Sequence, residues 1–260
     1  MSVTTTAAPR ATGSRSGLGR LAVTELRLFI RERVGPIWGV GLPLVLLVVF
    51  GSIPSFKEPQ RDFGGATKLE IYVPVLIAFS IALLALSSLP TVLAGYREKG
   101  VLRRLRTTPV GPARLLTAQL VVNVAVTMVT VIALLVVARV AYGVALPKQP
   151  AGFVIGVLFA AADLQAVGLF VAATAGSGRT AQAVGTLLFF PMMFFAGLWI
   201  PIAQMPGPLR SISHGTPLGA AVQALLRASA GHWPNGWQLL VMAAYALVLG
   251  LAAAKLFRWE

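Results

Sequence analysis

The sequence has no cysteine, which excludes disulfides, thiolate metal sites and cysteine nucleophiles but says nothing of compartment. Charge is also scarce: 12% of residues are Asp, Glu, Lys or Arg and 57% are hydrophobic, whereas soluble domains carry roughly a quarter charged residues. Acids are scarcest of all. The two aspartates, Asp62 and Asp163, lie far apart, so the clustered Asp motifs that hold magnesium in membrane transferases cannot form. No lysine is followed by Ser or Thr, so the phosphate-binding Gly-x-x-x-x-Gly-Lys-[Ser/Thr] loop is missing and nucleotide hydrolysis by that route is excluded. Both histidines, His214 and His232, fall in a proline-punctuated polar segment, which removes an intramembrane Ser-His hydrolase. The chain reads as a membrane protein that is not an enzyme.

What is present is apolar sequence arranged in runs, with a mean hydropathy of +0.80. At about 20 residues per span, 260 residues accommodate about six helices and no separate soluble domain. The expected fold is an all-α polytopic membrane protein with spans near 34–53, 69–94, 115–138, 152–175, 181–200 and 237–257, together forming a transmembrane domain over 34–257. Pro43 inside the first span, with Pro36 near its start, predicts a kink. Residues 1–17 lack periodicity and are expected to be a disordered tail, and not a signal peptide, because the first long apolar run begins only near Val34 and more spans follow.

Residues 18–33 form an interfacial amphipathic helix by pattern. Arg20, Thr24, Arg27 and Arg31 share an arc, with Leu18, Ala22, Leu26, Phe29 and Ile30 roughly opposite. Glu25 and Glu32 sit beside the apolar arc, either reaching water at its edge or pairing with basic residues of this or another subunit. Between the fifth and sixth spans, 201–231 is too polar for a plain span but contains two short apolar patterns. These predict helices dipping into the outer leaflet, with Trp233, Trp237 and Trp259 as interfacial anchors.

The formal charge is +14, yet the basic residues sit between spans, where they orient the protein and do not bind nucleic acid. One side holds Arg10, Arg15, Arg20, Arg27, Arg31, Arg33, Arg97, Lys99, Arg103, Arg104, Arg106, Arg114, Arg179, Lys255 and Arg258. The other holds Lys57, Arg61, Lys68, Arg139, Lys148, Arg210 and Arg227, fifteen against seven of the 22 Lys and Arg. Both termini are therefore expected in the cytoplasm. The Ala-, Val- and Arg-rich, Lys-poor composition fits a GC-rich bacterial source, hence a bacterial plasma membrane.

The densest polar stretch is Gly95-Tyr-Arg-Glu-Lys-Gly-Val-Leu-Arg-Arg-Leu-Arg-Thr-Thr-Pro109, trapped between two apolar runs. Read as a helix, it has a small apolar face of Val101, Leu102 and Leu105, with Arg103, Arg104 and Arg106 on its flanks and Pro109 ending it. Such an element lies either on the lipid surface or against a soluble partner. Within the spans, Gln119 and Asn123 face one side of the third. Asp163 is the one acid expected deep in the membrane, as a proton relay or as a structural residue bonded to backbone or to a group such as Asn123. The run Phe189-Phe-Pro-Met-Met-Phe-Phe195 on the fifth span either packs or lines a cargo path.

Three stretches, in order, resemble the ABC-2 type permeases, membrane subunits of ATP-binding-cassette exporters. Tyr96–Pro109 looks like the family's acidic-basic-Gly-x-Leu-x-x-Leu-x-x-Thr-Pro run. Phe195-Ala-Gly-Leu-Trp-Ile-Pro-Ile-Ala-Gln-Met-Pro-Gly-Pro-Leu209 is similar to its fifth-span exit, and Thr216-Pro-Leu-Gly-Ala-Ala-Val-Gln-Ala-Leu-Leu-Arg227 to its run before the last span. The chain departs from the pattern at Tyr96, where a second acid is common, at Thr216 for Asn and at Gln223 for an acid. The resemblance covers 18–257 and implies a six-span permease, paired with an identical or sister permease, surrounded by membrane lipid and docked on cytosolic ATP-binding-cassette ATPase subunits. It implies no cofactor in this chain, ATP and Mg being bound by the ATPase. It makes 97–108 the coupling helix, with Arg97, Glu98, Lys99, Gly100, Val101, Leu102, Arg103 and Leu105 as its contact residues and Glu98 pairing with a nearby or partner base. The expected cargo is hydrophobic or amphipathic, drug-like or lipid-like, on a path lined by Phe189, Phe190, Met192, Met193, Phe194, Phe195 and Trp199. The competing readings are a proton-coupled multidrug antiporter centred on Asp163 and a scaffold that transports nothing.

Overall fold

The computed structural model describes residues 14–31, 37–101, 104 and 112–256, and among these every regular element is a helix. On α1 (Ser14–Arg31), Thr24, Arg27 and Arg31 are exposed, but so are Leu26 and Ile30. The packed face is Ala22, Glu25 and Phe29, at the i, i+3, i+7 spacing of one helix side. Ala22 and Phe29 meet Val40, Leu84, Val122 and Val126.

A π turn at Ile37–Gly41 leads into α2 (Leu42–Ser52). Pro43 does not kink α2 from within. It stands in the first turn, where its missing N–H leaves no bond unmade, and the distortion is the π turn before it. The next helix runs unbroken over Lys68–Glu98 in three parts: α3 (Lys68–Leu83), a π segment at Leu84–Ser88 and α4 (Leu89–Glu98). The same rule accounts for both π segments. A proline ring collides with the carbonyl four residues back, and the wider π turn accommodates this by displacing Gly39 ahead of Pro43 and Leu86 ahead of Pro90. Both released carbonyls face other helices, as described below.

α5 (Pro112–Tyr142), α6 (Pro150–Thr174), α7 (Gly178–Phe195), α8 (Gly207–Gly215), α9 (Pro217–Ser229) and α10 (Gly236–Leu256) follow. The stretches 68–98, 114–142, 150–174 and 236–256 are long and apolar enough to cross a membrane, which makes the chain a multi-pass membrane protein. The other two expected spans correspond to the shorter apolar run Ile37–Ser52 and to α7, of 18 residues with Arg179 and Gln182 in its first half. α6 is the central post, with α9 and α10 along it and α3 and α4 beside it. Trp233 and Trp237, at the start of α10, are exposed; Trp259 and Glu32 lie outside the described residues.

At the end of α7, the Ser213 hydroxyl of α8 donates to the Phe195 carbonyl at 2.5 Å. Thr216 caps α9 by accepting from Gly219 N at 3.1 Å. Both short helices therefore lie about 25 Å along α7 from Gly178, at 1.5 Å per residue.

Candidate functional site

α4 ends in Tyr96-Arg97-Glu98, and each of the three side chains reaches a different part of the chain. The Tyr96 hydroxyl donates to the Glu25 carboxylate at 3.0 and 3.3 Å, and Gln119 Nε2 donates to the same carboxylate at 2.6 Å. Glu25 does not reach water at the edge of an apolar face. It is 6% exposed, and donors that meet a buried carboxylate offset the cost of taking it out of water. Asn123, one turn beyond Gln119, donates to the Gln119 backbone carbonyl at 3.1 Å. The Gln119/Asn123 spacing was readable as one polar face; its partner, 94 residues away, was not.

The next two residues straddle the turn between α6 and α7. The Arg97 guanidinium donates to the carbonyls of Ala173, at 3.4 Å, and Ala175, at the C-terminal end of α6. Glu98 Oε2 accepts from Gly178 N, the first residue of α7, at 3.2 Å. Cations favour helix C-termini and anions N-termini, so adjacent residues of opposite charge each meet the complementary end. Within the described residues Glu98 is thus seated on a backbone N–H, where the sequence suggested a base. Lys99 is exposed, Gly100 takes a left-handed φ of 68° that ends the helix, and Val101 is half-buried. Leu102, Arg103 and Leu105 lie outside the described residues.

Above these ties is a cavity of about 710 Å³ walled by the π turn before α2, by α3 and α4, by α7 and by the loop after it. One end is aromatic and apolar, formed by Trp38, Phe79, Phe189, Phe190, Leu198 and Trp199. The other is formed by Ser87, Ser88, Thr91, Gln182 and Thr186. Of the aromatic and sulfur-rich run, Phe189 and Phe190 face the cavity with Trp199, and Phe189 packs edge-to-face on Phe79 at 5.5 Å. Met193 points the other way into the core, fully buried. Met192, Phe194 and Phe195 are partly buried and do not line the cavity. A helix turn every 3.6 residues cannot present seven consecutive side chains to one space.

The displaced carbonyls set the shape of these walls. The Gly39 carbonyl accepts from the Ser80 hydroxyl at 2.7 Å, pinning the π turn to α3. A Cβ on Gly185 of α7 would fall inside contact distance of the Leu86 carbonyl, and one on Gly168 of α6 would do the same at Ala85. The π segment is thus clasped between two glycines that allow backbone-to-backbone approach.

Asp163 lies on α6 away from this cavity. It is 0% exposed, and neither carboxylate oxygen has a hydrogen-bond partner among the described residues. It does not bond Asn123, which serves its own helix.

The family model described as "ABC-2 type transporter" matches residues 18–229. A Bacillus subtilis (strain 168) protein named "Putative transport permease YvfS" is 20% identical over 245 residues, covering 93% of this chain and 97% of that protein.

Proposed function

Because the chain belongs to the ABC-2 type transporter family, a family of membrane transport subunits without a nucleotide-binding domain, we propose that it is the six-span permease of an ABC exporter in a bacterial plasma membrane. Its cargo is a hydrophobic or amphipathic, drug-like or lipid-like molecule. Its energy comes from a separate ATPase subunit that binds ATP and Mg and docks on 97–108, and a second permease, identical or sister, completes the path. Both termini are cytoplasmic, and α8 and α9 dip into the outer leaflet. The two shorter helices complete the span count: α7 alone extends about 27 Å at 1.5 Å per residue, close to the roughly 30 Å hydrocarbon core.

One observation carries this reading. The helix that ends at the docking stretch is the same unbroken helix that walls the cavity. A displacement delivered just past Glu98 needs no further joint to reach Thr91, Ser88 and Ser87. It is shared with α1 through Glu25, and with α6 and α7 through Arg97 and Glu98. Transport by two-state repacking requires such a rigid connection between effector and site.

The antiporter reading has one observation in its favour, the unpartnered Asp163. That residue is not among the described residues that line the cavity. The deciding experiment is ATP hydrolysis and cargo transport by the purified permease–ATPase complex in proteoliposomes. Leu102→Arg, on the docking face, is expected to abolish transport and cargo-stimulated hydrolysis; unchanged transport would remove the docking role.

A further inference from the structure

Both long walls of the cavity grade in the same direction. Along Lys68–Glu98 the lining runs from Phe79, Leu83 and Leu84 to Ser87, Ser88 and Thr91, with Val92 beside Thr91, on approaching Glu98. Along α7 it changes from Phe190 and Phe189 to Thr186 and Gln182 on approaching Gly178, the residue bound to Glu98. From Phe79 to Thr91 is about 18 Å at 1.5 Å per residue, long enough for a molecule with distinct ends. The polar groups of that end are hydroxyls and one amide, set beside the apolar Val92. None of the sixteen described residues that line the cavity is charged. Thr91 donates its proton to the Ser87 carbonyl at 2.7 Å, leaving its oxygen to accept, while the Gln182 amide supplies donors and an acceptor.

Resting on the transport reading, we propose that this cavity selects an amphipath with an uncharged, hydroxyl- or amide-bearing head. The head is seated between Thr91, Gln182 and Thr186, with the apolar body against Phe79, Phe189 and Trp199. A charged head brought here leaves water and meets no counter-ion among the described lining residues, and an unpaired charge in a low-dielectric site is strongly disfavoured. A neutral head exchanges its hydrogen bonds with water for bonds with the lining. The gradient also matches the leaflet on the Glu98 side, polar at the surface and apolar towards the midplane, so a molecule from that leaflet enters without inverting.

The test uses the full permease–ATPase complex in phosphatidylcholine proteoliposomes and four probes sharing one pyrenyl-decyl chain. Their heads are glucosyl, phosphocholine, trimethylammonium and sulfate, and ATP-dependent transport is measured for each. The glucosyl probe is expected to move at least about tenfold faster at limiting concentration than either singly charged probe, a difference of one decade in recognition. Thr91→Val with Thr186→Val should erase most of that advantage, and Gln182→Glu should raise transport of the trimethylammonium probe. The probe series on the unaltered protein stands by itself if a variant does not fold. Delivering the glucosyl head on a water-soluble octyl chain from the cytoplasmic side, against the pyrenyl probe already in the bilayer, tells a soluble amphipath from a lipid. Equal or faster transport of the charged probes overturns the selectivity while leaving the transporter reading intact. Movement of no probe, with intact ATP hydrolysis, overturns the transport reading on which it rests.

Discussion

The two ends of the helix Lys68–Glu98 are held in opposite ways. At Lys68 the fixings are local. Thr67 and Glu70 form a capping box, with Thr67 N to Glu70 Oε2 at 2.8 Å and Glu70 N to Thr67 Oγ1 at 3.2 Å, and Tyr72 packs in an aromatic cluster with Phe50 and Phe56 at about 5 Å between ring centres. At Glu98 the partners come from across the chain: Glu25 on α1, the C-terminal carbonyls of α6 and the first amide of α7. The first end is an anchor, held by its own cap and by the one neighbouring stretch that carries Phe50 and Phe56. The second links three other helices, so moving it moves them. Between the two, the π segment is clasped by Gly168 and Gly185.

This contrast can be broken at graded cost. The largest effect is expected at the clasp. Gly185→Val places a branched side chain on the Leu86 carbonyl, and overpacking of this kind costs typically 1–3 kcal/mol and sometimes more. It should lower the detergent melting temperature of the purified protein and abolish transport. Next is Glu25→Ala, which removes the acceptor shared by the Tyr96 hydroxyl and the buried Gln119 amide, at about 1–3 kcal/mol. It should reduce transport at an unchanged rate of basal ATP hydrolysis, because the tie it removes lies between moving parts. Thr67→Ala is the matched control at the anchored end. Losing the cap costs about 1 kcal/mol, and the melting temperature should fall with transport per ATP unchanged. If Thr67→Ala uncouples as Glu25→Ala does, the two ends are not different in kind. The smallest effect is expected of Asp163→Asn. ATP-driven transport should be retained, whereas a proton-coupled antiporter would lose export and would be inhibited by collapsing the proton gradient.

Much of this was legible in the sequence, and what was not has a physical reason. The all-helical membrane class follows from apolar runs and scarce charge, and the family from three ordered motifs. The side shared by Gln119 and Asn123 follows from local periodicity. Glu25 was misjudged because an amphipathic wheel ranks faces by hydrophobicity, whereas this helix turns a polar residue inward to meet donors 71 and 94 residues away. The distortion that Pro43 leads one to expect is present as the π turn Ile37–Gly41 just before it. The aromatic run reads in the sequence as either packing or path-lining, and helical rotation divides it between the two, with Phe189 and Phe190 on the cavity and Met193 in the core. Glu98 meets the N–H of a helix start, Gly178 N at 3.2 Å, a contact that side-chain charge in a sequence does not reveal. The polar end of the cavity could not be seen at all, since Ser87, Ser88 and Thr91 meet Gln182 and Thr186 only through the packing of α4 on α7.

The absence of cysteine makes one measurement direct. With Thr186→Cys as the sole thiol, the permease–ATPase complex in inside-out vesicles is treated with a membrane-impermeant thiol reagent, with and without ATP and vanadate. A cavity that is loaded from the cytoplasmic side and driven through the Glu98 end predicts rapid labelling without nucleotide, protection with ATP and vanadate, and loss of that protection in Leu102→Arg. Labelling that is unaffected by nucleotide in the otherwise unaltered complex would contradict the account.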